Sequence, residues 1–373
     1  MDDKIFVTRS SMPAYEDYIE AIKPLWDSHH LTNMGIYHRE LEEKLKIYLD
    51  VPELSLMVNG HMALELGIQA FGFPEGSEII TTPFTFISTT HAVIRNHLKP
   101  VFCDVKESDG TIDETKIEEL ITERTVAILP VHVYGNVCNV EEIKRIADKY
   151  NLKVIYDAAH AFGVTYKGKG IGNYGDASIF SFHATKVYNT IEGGAVTFGE
   201  RKLYDKLYNL KNFGIRGEEW VCEVGANGKM NEFCAVMGLL NLKRAEYAIG
   251  ERKKRFEYYQ KFLKDAKGIR ILRKEGAETD NYGYLPILID GGVLKPRDEV
   301  YEALKSYGIY TRKYFYPLTS DQACFKNGFR KAHLDTARRL AKEVLVLPIY
   351  EELSLEDVKR ICEILRRESK KSI

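Results

Sequence analysis

Asp157 and Lys186 are the two residues of this sequence whose types and placement point most directly to chemistry. Asp157 closes an apolar run, KVIYD, that reads as a strand, and Lys186 follows a second such run, ASIFSF, in the segment HATK. Twenty-nine positions separate them, both at strand ends, and open α/β sheets collect their ligands at the carboxyl ends of strands. A carboxylate near a lysine amine is what pyridoxal phosphate asks of a protein. The acid keeps the ring nitrogen protonated, so that the ring draws electrons from a substrate carbon, and the amine forms a Schiff base and then moves a proton. Each residue also has a plainer explanation. Asp157 opens DAAHAFG and would serve as a helix cap, and Lys186 is one of 53 Lys and Arg residues. The pair carries the reading, not either residue alone.

A phosphate needs a cradle, and LSLMV, Asn59-Gly60 and HMALELGIQAF read as a strand, a turn and a helix. The first N–H groups of a helix are unpaired and its dipole favours anions, so Gly60 and His61 are assigned to the cofactor phosphate. The Ser181 hydroxyl is a further candidate for that phosphate. Phe86, in PFTF, is a candidate to stack on the pyridine ring, although core packing is the ordinary role of a phenylalanine. His132, His160 and His183 lie near strand ends on the same face. None has the spacing of a helical zinc site, and no metal is expected.

The elements that would position these residues alternate. Strands at EIITTPF, PVFCDV, VAILPVHVYG and KVIYD are interleaved with helices at TFISTTHAVIRN, DETKIEELIT (opened by Asp113) and VEEIKRIADKYN. Such alternation over more than 100 residues implies a mostly parallel sheet covered on both faces. Helices are also predicted over 15–28 and 37–49. From about Met230 to Lys267 a long charged helical stretch reads as a connector to a second unit, with a strand at YGYLPILI and helices at PRDEVYEALKSYG, 333–344 and 354–367. This places a large domain over 1–245 and a small one over 246–373, consistent with a 373-residue chain too long for one core. Two glycine motifs are decoys. Gly163-VTYK-Gly168-Lys169 lacks the Ser or Thr of a P-loop, and Gly170-Ile-Gly172-Asn-Tyr-Gly175 precedes a strand where a dinucleotide fingerprint needs a helix. Both read as a glycine-rich hairpin.

Formal net charge is −1, which offers no nucleic-acid footprint and no membrane-surface patch. The six scattered cysteines form no CxxC and fit a reducing compartment. The N-terminal residues carry no apolar leader and no run is long enough to span a bilayer. The expectation is a soluble, cytoplasmic protein.

With these residues in place the chain resembles the DegT/DnrJ/StrS sugar aminotransferases, which are fold-type I pyridoxal phosphate enzymes. The likeness runs through LTNMG, NGHMAL, TTPFTF, VHVYG, DAAHAFG, SFHATKVYNTIEGGA, GANGKMNEF and RKYFYPL. It implies an α/β fold with a mostly parallel central sheet flanked by helices and a smaller α+β C-terminal domain. It also implies that Lys186 forms the Schiff base, Asp157 meets the ring nitrogen and Phe86 stacks on the ring. Ser181 and Gly60-His61 would hold the phosphate, joined by Asn231 from a second subunit in an obligate homodimer with its active sites at the interface. His160, in DAAHA, counts among the cofactor contacts. His61 stands where family members often carry Ser or Thr, so a backbone N–H is kept and a hydroxyl is lost. Lys186 sets the chain apart from the sugar 3-dehydratases of the family, which carry histidine there. HATK and Glu192-Gly193-Gly194 are similar to the enzymes acting at C4, closest to those making dTDP-4-amino-4,6-dideoxyglucose.

The resemblance therefore implies transfer of the amino group of L-glutamate to a dTDP-4-keto-6-deoxyhexose. Thr32, Asn33, His183, Glu192, Tyr314 and Tyr316 are candidates for substrate contacts. The alternatives are a C3 aminotransferase, a UDP-linked substrate, or, from another class, a non-catalytic sensor with this fold. The last is disfavoured because no basic helix-turn-helix segment precedes residue 15. A desulfurase would need a cysteine in a Gly/Ser-rich loop, and a dehydrogenase rests only on the decoy glycines.

Overall fold

The structure, a computed structural model, describes residues 4–273, 279–325 and 329–370. Its centre is a seven-stranded sheet in the order Glu53–Met57, Gly194–Phe198, Ala177–Ser181, Lys153–Asp157, Thr125–Leu129, Glu78–Thr81, Lys99–Phe102. Only Gly194–Phe198 runs antiparallel to its neighbours; the other pairings are parallel. The strands are short and almost wholly buried, as a sheet covered on both faces requires. One layer of core, with Leu54, Leu56, Ile128, Val154 and Phe180, lies on one face, and another, with Met57, Ile79, Leu129, Ile155 and Ile179, on the other. The alternation of neighbouring residues between the two clusters is the period-two signature of a strand buried on both sides.

The C-terminal part builds a three-stranded antiparallel sheet from Ile269–Ile271, Leu285–Ile289 and Val344–Leu347. The helix Ala245–Leu263 packs on Leu355–Glu368 beside it. Its core also takes Ile5, because Ile5–Phe6 pairs in parallel with Ile309–Tyr310. A third cluster joins the two sheets: Phe84, Phe102, Val131 and Tyr134 meet Tyr284, Phe315 and Val346. This shared core lies directly behind the carboxyl ends of the central strands.

Several expected elements differ in detail. The predicted helix at DETKIEELIT is two 3-10 turns, Glu114–Lys116 and Glu118–Leu120. Asp113 caps the first through the Thr115 N–H, and the buried Ile117 and Leu120 are three apart, the spacing that three residues per turn brings to one side. The helix over 15–28 breaks into Tyr15–Ile22 and Pro24–Ser28, since proline lacks the N–H that continuation needs and suits a first turn. The long stretch from 230 is two helices, Glu232–Leu242 and Ala245–Leu263. The glycine-rich segment is a hairpin of Thr165–Tyr166 with Lys169–Gly170, as the decoy reading required.

Candidate active site

Asp157 ends the strand Lys153–Asp157 and is buried. One carboxylate oxygen accepts from the Thr89 hydroxyl at 2.7 Å and the other from the Ala159 N–H at 3.1 Å. Thr89 lies in the helix Ile87–Arg95, whose N-cap is Phe86, so one short element carries both the partner of Asp157 and the ring proposed to stack. Phe86 is 56% exposed, unlike the buried Phe84 two residues earlier. Burial pushes the Asp157 carboxyl above its ordinary value, and the Thr89 and Ala159 hydrogen bonds and the Lys186 charge offset this only in part.

Lys186 follows Ala177–Ser181 in a tight turn in which its N–H bonds to the His183 carbonyl at 2.8 Å. His183 Nδ1 lies 2.8 Å from the Thr185 hydroxyl, and its Nε2 lies 3.6 Å from Glu192. The Lys186 amine donates to the Tyr284 hydroxyl at 2.9 Å. His160 is buried, and burial followed by the Lys186 charge drives its imidazole well below its ordinary value, so the ring is neutral. Its Nδ1 accepts from the Tyr134 N–H at 2.9 Å, which puts the ring proton on Nε2 and makes that atom a donor.

The turn before the helix Gly60–Gln69 is capped by Asn59, whose side chain accepts from the Met62 N–H at 2.8 Å. The N–H groups of Gly60 and His61 remain as those that helix geometry leaves for an anion. A Cβ on Gly60 would fall 2.7 Å from the Ser181 Cβ, so the turn and the Ser181 hydroxyl touch. On the same edge a Cβ on Gly194 would strike the Asn59 backbone at 2.7 Å. The His61 ring turns away from the turn, with Nδ1 2.7 Å from the Ser88 hydroxyl and Nε2 3.5 Å from Glu65.

The remaining candidates lie around this centre. Asn231 caps Glu232–Leu242 through the Cys234 N–H at 2.9 Å. Thr32 and Asn33 sit in an exposed turn, and the adjacent Leu31 carbonyl accepts from the Glu232 N–H. In RKYFYPL it is Phe315 that enters the aromatic cluster, stacked 5.9 Å from His160, while the Tyr314 carbonyl accepts from the Tyr134 hydroxyl. Tyr316 is 47% exposed with the Arg297 guanidinium 4.9 Å from its ring. Thr89, Tyr134 and Tyr284 were not singled out by sequence. The polar Tyr284 at the mouth of the apolar run YGYLPILI was the one signal available.

A family model for the DegT/DnrJ/EryC1/StrS aminotransferases matches residues 14–366. The chain belongs to that family. A dTDP-4-amino-4,6-dideoxy-D-glucose transaminase of Escherichia coli is 43% identical over 98% of this chain and 99% of its own. The protein of the same name from Shigella dysenteriae is 41% identical with the same coverage. Among solved structures, DesI in the presence of its TDP-sugar product has a TM-score of 0.92 and 32% identity, covering 98% of this chain and 93% of that one.

As a member of the DegT/DnrJ/EryC1/StrS family the chain is an aminotransferase, and its cofactor is pyridoxal phosphate. The side chains fit that group. Gly60 leaves room against Ser181 that any Cβ would fill, Asp157 is a buried acid short of positive charge, and the Lys186 amine is held nearby.

Proposed function

We propose that this aminotransferase moves the amino group of L-glutamate to the 4-keto carbon of a dTDP-4-keto-6-deoxyhexose, giving the 4-amino-4,6-dideoxy sugar. The observation that carries this reading is the full-length similarity to two enzymes named for that product. When bound, pyridoxal phosphate supplies an electron sink for the carbon that bears the amine. The chain's own residues do the rest. The Gly60 and His61 N–H groups and the Ser181 hydroxyl would hold the phosphate, and the exposed Phe86 ring would stack on the pyridine. Asp157 keeps the proton on the ring nitrogen, because a buried carboxylate short of partners gains most from a cation placed against it. His160 donates from Nε2. Lys186 anchors the cofactor and then takes a proton from the donor carbon and returns it at the acceptor carbon. His183, Glu192, Tyr314 and Tyr316, with Thr32 and Asn33, are assigned to the sugar and nucleotide.

The reading includes a cytoplasmic homodimer in which Asn231 serves the phosphate turn of the second subunit. Exposed large apolar side chains support it: Trp26 near the N-terminus, and Phe213, Ile215, Trp220 and Val221 on the hairpin that follows the helix Arg201–Lys211. Patches of this kind mark association surfaces. It also includes the division into 1–245 and 246–373, with Ile5–Phe6 stitched to the second unit. Among the described residues no helix is long and apolar enough to cross a membrane.

The test is the visible spectrum of the purified protein. A yellow band that bleaches with L-glutamate and returns with a dTDP-4-keto sugar is the expected result, with the new amine at C4 of the product. Return of the band with only UDP sugars, or an amine at C3, would replace the proposed substrate. A protein that stays colourless with added pyridoxal phosphate would overturn the cofactor. Lys186→Ala and Asn231→Ala, each inactive alone, should regain activity when mixed; verified subunit exchange without recovery would end the shared-site reading.

A further inference from the structure

The Lys186 amine is held from across the molecule. Its partner, Tyr284, directly precedes the strand Leu285–Ile289 of the three-stranded sheet, whereas Lys186 follows a strand of the central sheet. Nζ donates to the Tyr284 hydroxyl at 2.9 Å and lies 5.5 Å from the ring centroid. The ring cannot drift. It is 8% exposed, lies 4.2 Å from the His160 ring at 37°, and has Tyr134 at 6.0 Å. The pairing of Leu285 with Leu347 fixes the backbone beneath it. On the side of the C-terminal core stands Arg252, fully buried, with Nη1 donating to the Ile349 carbonyl at 2.7 Å and Nε and Nη2 without a hydrogen-bond partner. Burial pushes its guanidinium down to about 10, and the Glu351 carboxylate opposes this.

We infer that Tyr284 is a positioning residue for the proton transfers of Lys186, holding Nζ in place whenever that amine is not bonded to the cofactor. The inference rests on the aminotransferase assignment and adds a residue to it. A lysine has four rotatable bonds, and a freed amine would scatter over them. A hydroxyl suits the task because it serves both states of the amine. Its oxygen accepts from the ammonium, and its O–H donates to the neutral nitrogen. The proton itself stays with Lys186 and the substrate carbon, so Tyr284 neither gains nor loses one over the cycle.

Tyr284→Phe removes one oxygen and keeps the ring packing. With cofactor content and melting temperature unchanged, kcat should fall roughly 10–100-fold, the loss expected for a hydrogen bond to a charged group, while KM for both substrates stays within about twofold. A second readout does not use turnover. In protein loaded with pyridoxamine phosphate, acetic anhydride should acetylate Lys186 roughly 3–10-fold faster in Tyr284→Phe than in the parent, because the hydrogen bond no longer ties up the nitrogen. Parent-like kcat and acetylation in Tyr284→Phe would overturn the inference, as would a loss of cofactor or of stability with kcat per bound cofactor unchanged. If the parent itself fails to turn over glutamate, the assignment beneath the inference is what falls.

Discussion

Two buried aspartates, one at the end of a parallel strand and one just past another, are treated in opposite ways by this fold. Asp104 follows Lys99–Phe102 and Asp157 ends Lys153–Asp157; both are nearly inaccessible. Burial pushes the Asp104 carboxyl up, but the Ala337 N–H at 2.8 Å, the Lys116 ammonium at 3.0 Å and the Thr336 N–H at 3.2 Å outweigh it and hold it below its ordinary value. Burial acts on Asp157 too, and there a hydroxyl, one N–H and the Lys186 charge fall short, so its carboxyl stays above the ordinary value. Asp104 is a finished joint that ties the central sheet to the start of the helix Asp335–Glu343. Asp157 is an acid whose charge the protein alone leaves under-compensated. The difference separates a buried carboxylate that holds a fold together from one whose charge stays under-compensated, as the proposed contact with a cationic ring requires.

Replacing each aspartate by asparagine tests this contrast. The largest effect should be on the rate of Asp157→Asn, whose kcat falls by about 10²–10⁴-fold while cofactor is still bound, read by steady-state kinetics on protein of known cofactor content. Asp104→Asn should leave kcat within about twofold and instead lose roughly 1.5–3 kcal/mol in urea unfolding. A shared loss of rate would erase the distinction. The pH dependence follows from the two directions. The Asp104 contribution is present above the ordinary carboxylate range and is lost as pH falls through its depressed value, so the stability gap between parent and Asp104→Asn should close below about pH 4. Ser181→Ala should weaken pyridoxal phosphate binding roughly 3–10-fold by equilibrium titration, one hydrogen bond among several on the phosphate. Smallest is a gain. Because the fold holds the Asp157 carboxyl above its ordinary value, it costs stability as pH rises out of the ordinary carboxylate range, so cofactor-free Asp157→Asn should melt roughly 1–3 °C higher than the parent at pH 7.5.

The asymmetry also explains what the sequence could disclose. The placement of Asp157, Ser181, Lys186 and the Gly60 turn at strand ends was legible because apolar runs announce those ends. Their order along the chain becomes proximity through nothing more than a parallel sheet. What decides the state of Asp157 was not legible. Thr89 is 68 positions away from it and Tyr284 is 98 from Lys186, and nothing local marks either as a partner. Tyr284 and Phe315 arrive through the packing of a second sheet against the first, which periodicity does not encode. The element errors have local causes. Pro24 broke a helix that apolar spacing alone would continue, and Ile117 with Leu120 satisfied a helical pattern that a 3-10 turn meets equally well.

The parallel pairing of Ile5–Phe6 with Ile309–Tyr310 sets a timetable for biosynthesis. A nascent chain can begin the central sheet early, but its first strand has no partner until roughly 300 further residues have been made, about 15–60 s at ordinary elongation speeds. Closure of this pairing therefore waits until residue 310 has been made, and a truncation before residue 309 should strand Ile5–Phe6 even where the central sheet has formed.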